Sequence, residues 1–416
     1  MKTAFSTIGL ISSLTLFSSA AIQIPGADGS SGVLNITADT TIDLSQAVTG
    51  NWDDTNTANG IYDAEKWAVV FNYSSVNIDP GVTLTFTNHE SRAPVVWLVT
   101  GDVVISGNVS LDGQAHQPAP LLSEPGPGGF RGGTASYAGN PSSSAGFGPG
   151  GGLRQGNVGS SGAFGTNLGS ATPYGNPSLI PLIGGSGGAG DPEFTGIRQG
   201  GGAGAGAILI ACAGTATIDG QIHCNGGAGL HDFSGIDLNT GGGSGGGIRI
   251  VCDTLAGTGP LNAVGGDGWQ QGGLGRIRIE RVASSSSGSI VPDPSIVPLT
   301  ADDTALLWPP PSAPQVEVVS IGGVAAPADP RAAFGATGAD VALPETATTE
   351  IVIRTTNVEQ AAAVNVRLTP RSGADSQVVS AVVSSVVSPT EPIIEWTADL
   401  PVNTGYSAVQ VHVVRP

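Results

Sequence analysis

Short alternating apolar runs, each closed by a glycine cluster, recur along the middle of the chain. Ile208-Leu209-Ile210-Ala211-Cys212 returns as Ile248-Arg249-Ile250-Val251-Cys252, and in part as Ile277-Arg278-Ile279. Ile222 ahead of Gly226-Gly227 is echoed by Leu261 ahead of Gly265-Gly266. The period is about 40 residues, and self-similarity at such a period marks stacked repeats. Alternation over a few residues predicts strands with one buried face, and glycine at the corners suits tight turns. These features predict an all-β chain whose central part winds as a parallel β-helix, with Ile208, Ile248 and Ile277 in one inner column.

The pattern extends upstream. Residues 32–37 and 40–44 read as a strand pair, followed by the apolar run Trp67 to Asn72 and the strand Val82 to Phe86 after a Pro80-Gly81 turn. Trp97-Leu98-Val99 aligns with Ile208-Leu209-Ile210, and Leu111-Asp112-Gly113-Gln114 with Ile218-Asp219-Gly220-Gln221. Residues 117–206 form a low-complexity insert of Gly, Ser, Pro and Ala. It carries Phe130, Phe147, Phe164, Leu179 and Ile183, which a disordered loop would not need, so an ordered but irregular layer against the repeats is expected. Polyglycine-II-like packing is the second option; it asks for glycine at every third position, which the insert does not keep strictly. The inserts shorten toward the C-terminus and are expected to hang outside the inner column.

Residues 283–314, rich in serine and proline, read as a linker in which Leu306-Leu307-Trp308 forms a latch. From 315 to 416 glycine falls, valine rises, and about seven alternating runs predict an immunoglobulin-like β-sandwich. Trp396 is its expected core aromatic, and residues 381–387 offer an edge able to pair with another chain.

Composition sharpens this outline. Hydrophobic residues are 39% of the chain and charged ones only 12%, enough apolar surface for a core. A net charge of -18 with two lysines gives nucleic acid or an anionic membrane nothing to grip. Residues 1–21 read as a secretory leader, with Lys2 before an apolar segment and Ser18-Ser19-Ala20-Ala21 as a small-residue cleavage region. The mature domains are then 22–282, 283–314 and 315–416, placed outside the cell or on its surface with no transmembrane segment.

Candidate chemistry is thin. Cys212 and Cys252, stacked in register about 5 Å apart, are a candidate disulfide in an oxidising compartment, against an inward stack of free thiols. Asp54, Asn56, Asn59 and Asp63 gather oxygen donors in one loop, a candidate Ca²⁺ site without EF-hand spacing; Asx-turns are the alternative. Asn35, Asn72 and Asn108 stand in N-x-S/T sequons. Trp52, Tyr62 and Trp269, with Phe130, Tyr137 and Phe147, are candidate ligand-facing aromatics. Asp102, Asp112 and Asp219 fall at strand corners, where they read as turn caps rather than catalytic acids. Arg249 and Arg278 read as an outward, solvated stack. His223, His231 and Asp232 could meet at a metal, though scattered histidines are the simpler reading. No catalytic set and no organic cofactor emerges.

The runs Trp67 to Phe71, Ala93 to Val99, Pro181 to Gly188 and Gly241 to Ile250 resemble those of a group of uncharacterised, glycine-rich exported bacterial β-helix proteins. The resemblance spans residues 32–282 and implies a fold but no activity. In general plan the repeats are also similar to the pectin-lyase-like superfamily. The chain lacks that superfamily's Asn-Thr-Asp, Asp-Asp and Gly-His-Gly signatures in a matching arrangement. The expectation is a secreted or cell-surface structural protein, a subunit of an extracellular filament or surface layer that self-associates through solenoid ends or the C-terminal edge. The alternatives are an adhesin binding surface polysaccharide through its loop face and, last, a carbohydrate-active enzyme.

Overall fold

The computed structural model describes residues 21–56, 58–136, 143–155, 158–191, 198–231, 239–331, 338–344, 348–371, 375–388, 392–402 and 404–416. Residues 1–20 of the expected leader, Tyr137 and Asp232 lie outside them. The described chain is all-β: its one helical element is a 3-10 turn at Leu44–Gln46, and no helix is long and apolar enough to cross a membrane.

Successive passes of the repeat lay strands alternately into two sheets. The ten-stranded sheet runs Ser295–Pro298, Arg276–Ser284, Gly247–Ala256, Ala207–Ile218, Val95–Val99, Ala68–Ile78, then Ile61–Asp63 and Val48–Thr49, with Gly32–Ile36 and Val103–Ile105 beside this path. Its pairs are parallel except Ile61–Asp63 against Ala68–Ile78. The six-stranded sheet is wholly parallel: Ile290–Val291, Leu261–Asn262, Gln221–His223, Asn108–Ser110, Thr83–Thr87, Thr40–Asp43.

Parallel pairing in register turns the sequence repeat into columns. Val69, Val95, Ile208, Ile248 and Ile277 stack in one, and Phe71, Trp97, Ile210, Ile250 and Ile279 in the next. All ten belong to one buried cluster between the sheets, as expected for the inner column. Trp97 pairs with Ile210, however, not Ile208, and Ile218 pairs with Ile105. The corners Ile105-Ser106-Gly107-Asn108 and Leu111-Asp112-Gly113-Gln114 both read apolar-x-Gly-polar, so motif matching chose the wrong one.

The alternate residues of the same strands are buried as well. Val70, Val96, Leu98, Leu209 and Val251 pack outward against Phe164, Tyr174 and Leu179 of the insert, Ile22 and Ile24, and Leu307. A sheet covered on both faces explains strands that read as nearly unbroken apolar runs. Residues 283–298 are therefore no linker. They supply the last strand of each sheet, and Ala305 and Leu307 then strap the outer face.

The glycine inserts lie against the outer face of the ten-stranded sheet, outside the inner column as expected, but they do not hang free. They form a third, densely hydrogen-bonded wall with a three-residue rhythm. Gly200, Ala203 and Gly206 donate to Gln117, Gln114 and Leu111; Gly201, Gly204 and Ala207 donate to Gly133, Phe130 and Pro127; Gly202 and Ala205 donate to Gly241 and Ser244. Residues 240–246 repeat the scheme: Thr240, Gly243 and Gly246 donate to Leu230, Gly227 and Cys224, Gly241 and Ser244 to Ala189 and Ser186, and Gly242 and Gly245 to Gln270 and Gly273. Successive donors point three ways, the symmetry of an extended helix with three residues per turn. The packing expected second is thus the one adopted, without glycine at every third position. Ala and Ser stand where a neighbour leaves room, and buried Ser186 and Ser244 bond to each other across segments.

The C-terminal residues form two antiparallel sheets. One has five strands, in the order Val324–Ala325, Gln315–Ile321, Thr348–Thr356, Ile393–Pro401, Val382–Ser388; the other has three, Gln377–Ser380, Ala363–Pro370, Ser407–Val414. Trp396 is buried between them and its indole N–H donates to Thr355 Oγ1. The valine-rich run from 377 to 388 divides at Ala381, half in each sheet.

An added Cβ at Gly243 would fall inside the carbonyl group of Ala203. Gly243→Ala should cost at least ~3 kcal/mol or abolish folding, whereas Gly81→Ala, at an open turn with φ +78, should cost about 1 kcal/mol. Chemical denaturation of both variants checks the contrast.

Candidate functional site at the corners, the glycine wall and the domain junction

The corner carboxylates are occupied by backbone. Asp102 accepts from Thr215 N–H at 2.7 Å, Asp112 from Asn225 N–H at 2.6 Å, and Asp219 from Thr258 N–H at 3.2 Å. Each caps the corner of the next pass rather than its own, tying adjacent passes together. Asp112 also meets His223 Nδ1 at 2.8 Å. His231 lies instead edge-on to Trp269, 5.0 Å between centroids. Among the described residues no three His, Cys, Asp or Glu side chains converge as a metal site.

The loop read as a Ca²⁺ candidate spends its two carboxylates locally, while the buried Asn56 Oδ1 has no hydrogen-bond partner. Asp54 accepts from Asn51 N–H, and buried Asp63 accepts from the N–H groups of Trp52 and Lys66. Asn56 is buried and donates to Val70 O at 3.1 Å, while Asn59 is exposed. Two of the four donors thus face inward and two outward, the arrangement of a capped turn.

Cys212 and Cys252 are register partners, and with Cys224 they are buried free thiols. Burial pushes Cys252 up to about 12, and Cys212 and Cys224 well above the usual thiol range. Of the sequons, Asn72 is fully buried, with its amide bonded to Asp28 N–H and Gly26 O. It has no room for a glycan. Asn35 is exposed and accepts from Asn77; Asn108 is half-buried.

Of the candidate aromatics, Trp52 and Tyr62 are structural. Trp52 packs on Trp308. Tyr62 is buried, stacks on His89 at 4.1 Å, and donates to Asp329 Oδ1 at 2.6 Å. Trp269 is presented, 43% exposed. Phe130 and Phe147 line the cleft described below.

Arg249 overturns the solvated reading, although it does point outward with its register partner Leu209. It is 1% exposed, with its guanidinium bonded to Glu280 and to the carbonyls of Leu306 and Leu307. Arg278 shares Glu280 at 2.7 Å. The apolar neighbours of Arg249 mark an outer face covered by the 305–308 strap, a cover that strand alternation alone does not announce.

Sequence reading also missed the junction between the C-terminal domain and the repeats. Arg367 reaches from Ala363–Pro370 into the glycine wall, where its Nη2 donates to Gly146 O at 3.1 Å and Gly151 O at 3.0 Å. Burial lowers its pKa to about 10. A second latch joins Tyr62 to Asp329 and Arg331 to Glu90. Between the latches lies a cleft of about 1240 Å³, with Trp67, Arg92 and Phe130 on one wall and Val318, Ile351 and Val409 on the other. Beside it, Arg92 and Arg131 both pair with Glu124, whose pKa burial raises against the pull of Arg92.

No protein-family model, curated protein or solved structure matches the chain.

The junction should be acid-sensitive through His89. Burial first, then Arg331, hold its pKa below the ordinary value, against Asp329. The folded protein therefore binds this proton more weakly than the unfolded chain. The contribution is complete above about pH 6.5 and is lost as pH falls through the lower folded value. Urea midpoints between pH 7 and 5 should fall less steeply for His89→Phe than for wild type. A second measurement concerns the thiols: iodoacetamide at pH 8 should label none of the three cysteines in the native protein and all three after denaturation, as read by intact mass.

Proposed function

We propose that this chain is a secreted or cell-surface structural protein, a subunit of an extracellular filament or surface layer. On this reading the two parallel sheets are the faces of a parallel β-helix, and residues 315–416 are an immunoglobulin-like sandwich docked on it. The observation that carries the reading is the glycine wall. Its segments are joined by main-chain hydrogen bonds running three ways, so no single segment opens without breaking bonds to several others, and little side chain is offered to a protease or a ligand. The corner carboxylates support a non-enzymatic role, because each is held by a main-chain N–H.

The way such subunits join is narrowed by the ends of the sheets. Pro292, Pro294 and Pro298 surround the last strands Ile290–Val291 and Ser295–Pro298. Proline at an open edge discourages pairing with another chain, so assembly is assigned to the C-terminal domain rather than to stacking of the repeats. Adhesion is the second reading, favoured by the exposed Trp269 beside His231 at the rim of the wall; an aromatic platform of this kind suits a sugar face.

Electron microscopy of native material tests the primary reading. Ordered fibres or sheets labelled by an antibody to this chain are expected, and dispersed monomers at high concentration would overturn it. Retention on immobilised surface polysaccharide, lost in Trp269→Ala, would favour adhesion instead.

A further inference from the structure

The C-terminal domain carries two unlike uncovered edges on opposite sides. Gln377–Ser380 lies beside Ile393–Pro401, and Gln315–Ile321 beside Ser407–Val414. Val382–Ser388 is the outer strand at the first side, with Ile393–Pro401 as its strand partner. Val378, Val382, Val386 and Val387 are all exposed there, Val382 to 65%. Residues 378–388 contain only Val, Ser and Ala. An open edge ordinarily bears charge or proline as a guard; within residues 378–388 this one bears neither, and Pro389 follows only at its end. Ser384 and Val387 fall at register shifts against the neighbouring strand. Such bulges bow a strand and spoil its ladder, so this edge offers apolar side chains rather than a hydrogen-bonding template.

The other side is its counterpart. Ser407–Val414 pairs with Ala363–Pro370 through an unbroken register, and its far edge has no strand partner among the described residues. The five-stranded sheet faces one of three strands, and along Gln315–Ile321 its flank meets no strand beyond Ser407–Val414 among the described residues. The 1240 Å³ cleft opens there between this flank and the repeats, with Val318, Ile351, Leu368 and Val409 on one wall and Arg92, Phe130 and Arg131 on the other. Thr349 Oγ1 and Gln410 Oε1, at the cleft, are buried without a hydrogen-bond partner.

We propose that a second copy of this chain fills the cleft: the valine edge 378–388 of one molecule docks beside Ser407–Val414 of the next. The donor and acceptor surfaces are different patches on opposite sides of one domain. A contact of that kind is heterologous, and it propagates head to tail unless the rotation closes a ring. An uncharged occupant also suits a chain of net charge -18, where most other surfaces repel their copies. The inference rests on the self-assembling reading above and names its contact.

Light scattering on the full chain after size exclusion provides the test. Val382→Lys with Val386→Lys alters only the donor edge. Tyr406→Lys, or Thr404→Lys as a second choice, alters only the exposed acceptor rim. Circular dichroism and melting temperature should stay unchanged. Each variant alone should raise the apparent dissociation constant at least ~10-fold, because an unpaired ammonium is buried on docking. Mixing donor-altered with acceptor-altered protein leaves one intact contact per pair, so the expected product is a one-to-one dimer and nothing larger. Wild type that assembles while both variants also assemble overturns this contact and leaves the scaffold reading standing. A mixture that stays monomeric overturns it too, since the contact would then be two-fold. Monomeric wild type overturns it at once, and with no fibres in native material the scaffold reading falls as well.

Discussion

Close approach of backbone to backbone, allowed only where Cβ is missing, is the constraint on which this molecule depends. At Gly202, Gly204, Gly243 and Gly246 a side chain would enter a neighbouring carbonyl group. These positions let extended segments lie near enough for each N–H to find a carbonyl on one of three neighbours. The bonds are individually modest, on the order of 1 kcal/mol net each. Ordering a residue costs roughly 1–2 kcal/mol of backbone entropy, and glycine loses the most. A wall of glycine alone therefore does not cover its own ordering cost. It needs a partner that buries apolar area, and the outer face of the ten-stranded sheet is that partner. Phe164, Tyr174 and Leu179 are among the large side chains of the insert, and they are packed against Leu209 and Val251.

This division of labour explains what was legible in the sequence. The columns Ile208–Ile248–Ile277 and Ile210–Ile250–Ile279 could be read because hydrophobic burial is written in side-chain identity and repeats with the strands. The glycine wall could not be placed, because its interactions are main-chain and every glycine looks alike. Its period of three lies in the direction of N–H groups, not in residue type; Ala203, Ala205 and Ser244 occupy the same lattice as their glycine neighbours. The strands at 290–298 were hidden for a related reason. Proline and serine suit a sheet's last strand as well as a linker, and composition does not separate the two.

The candidate site residues divide along the same line. Asp102, Asp112 and Asp219 read correctly as caps, since a short carboxylate at a corner lies within reach of main-chain N–H groups, although the ones they hold belong to the next pass, 39 to 113 residues on. Arg249, Tyr62 and Arg367 read wrongly or not at all, because each owes its setting to a segment far away in sequence. Arg249 is satisfied by carbonyls at 306 and 307, Tyr62 by Asp329, and Arg367 by carbonyls at 146 and 151. A buried cation bonded to carbonyls is a costly way to gain stability. It is a good way to fix position, because one geometry satisfies the donors and displaced ones leave a charge uncompensated. These three contacts set where the strap and the C-terminal domain lie on the repeats.

That fixed position gives the molecule its asymmetry. The repeats end at one side in strands flanked by proline, which discourages pairing there with another copy. The C-terminal domain is built differently. It holds one sheet two strands wider than its partner and leaves a run of bare valines on the opposite flank. Were the domain free to swing, the two flanks would point in no fixed relation, and contacts between copies would give irregular aggregates. Clamped by Arg367 and by the Tyr62–Asp329 bond, donor and acceptor keep one orientation relative to the rigid body. The buried cation and the unguarded edge thus make sense together: the first defines the direction in which the second can be extended.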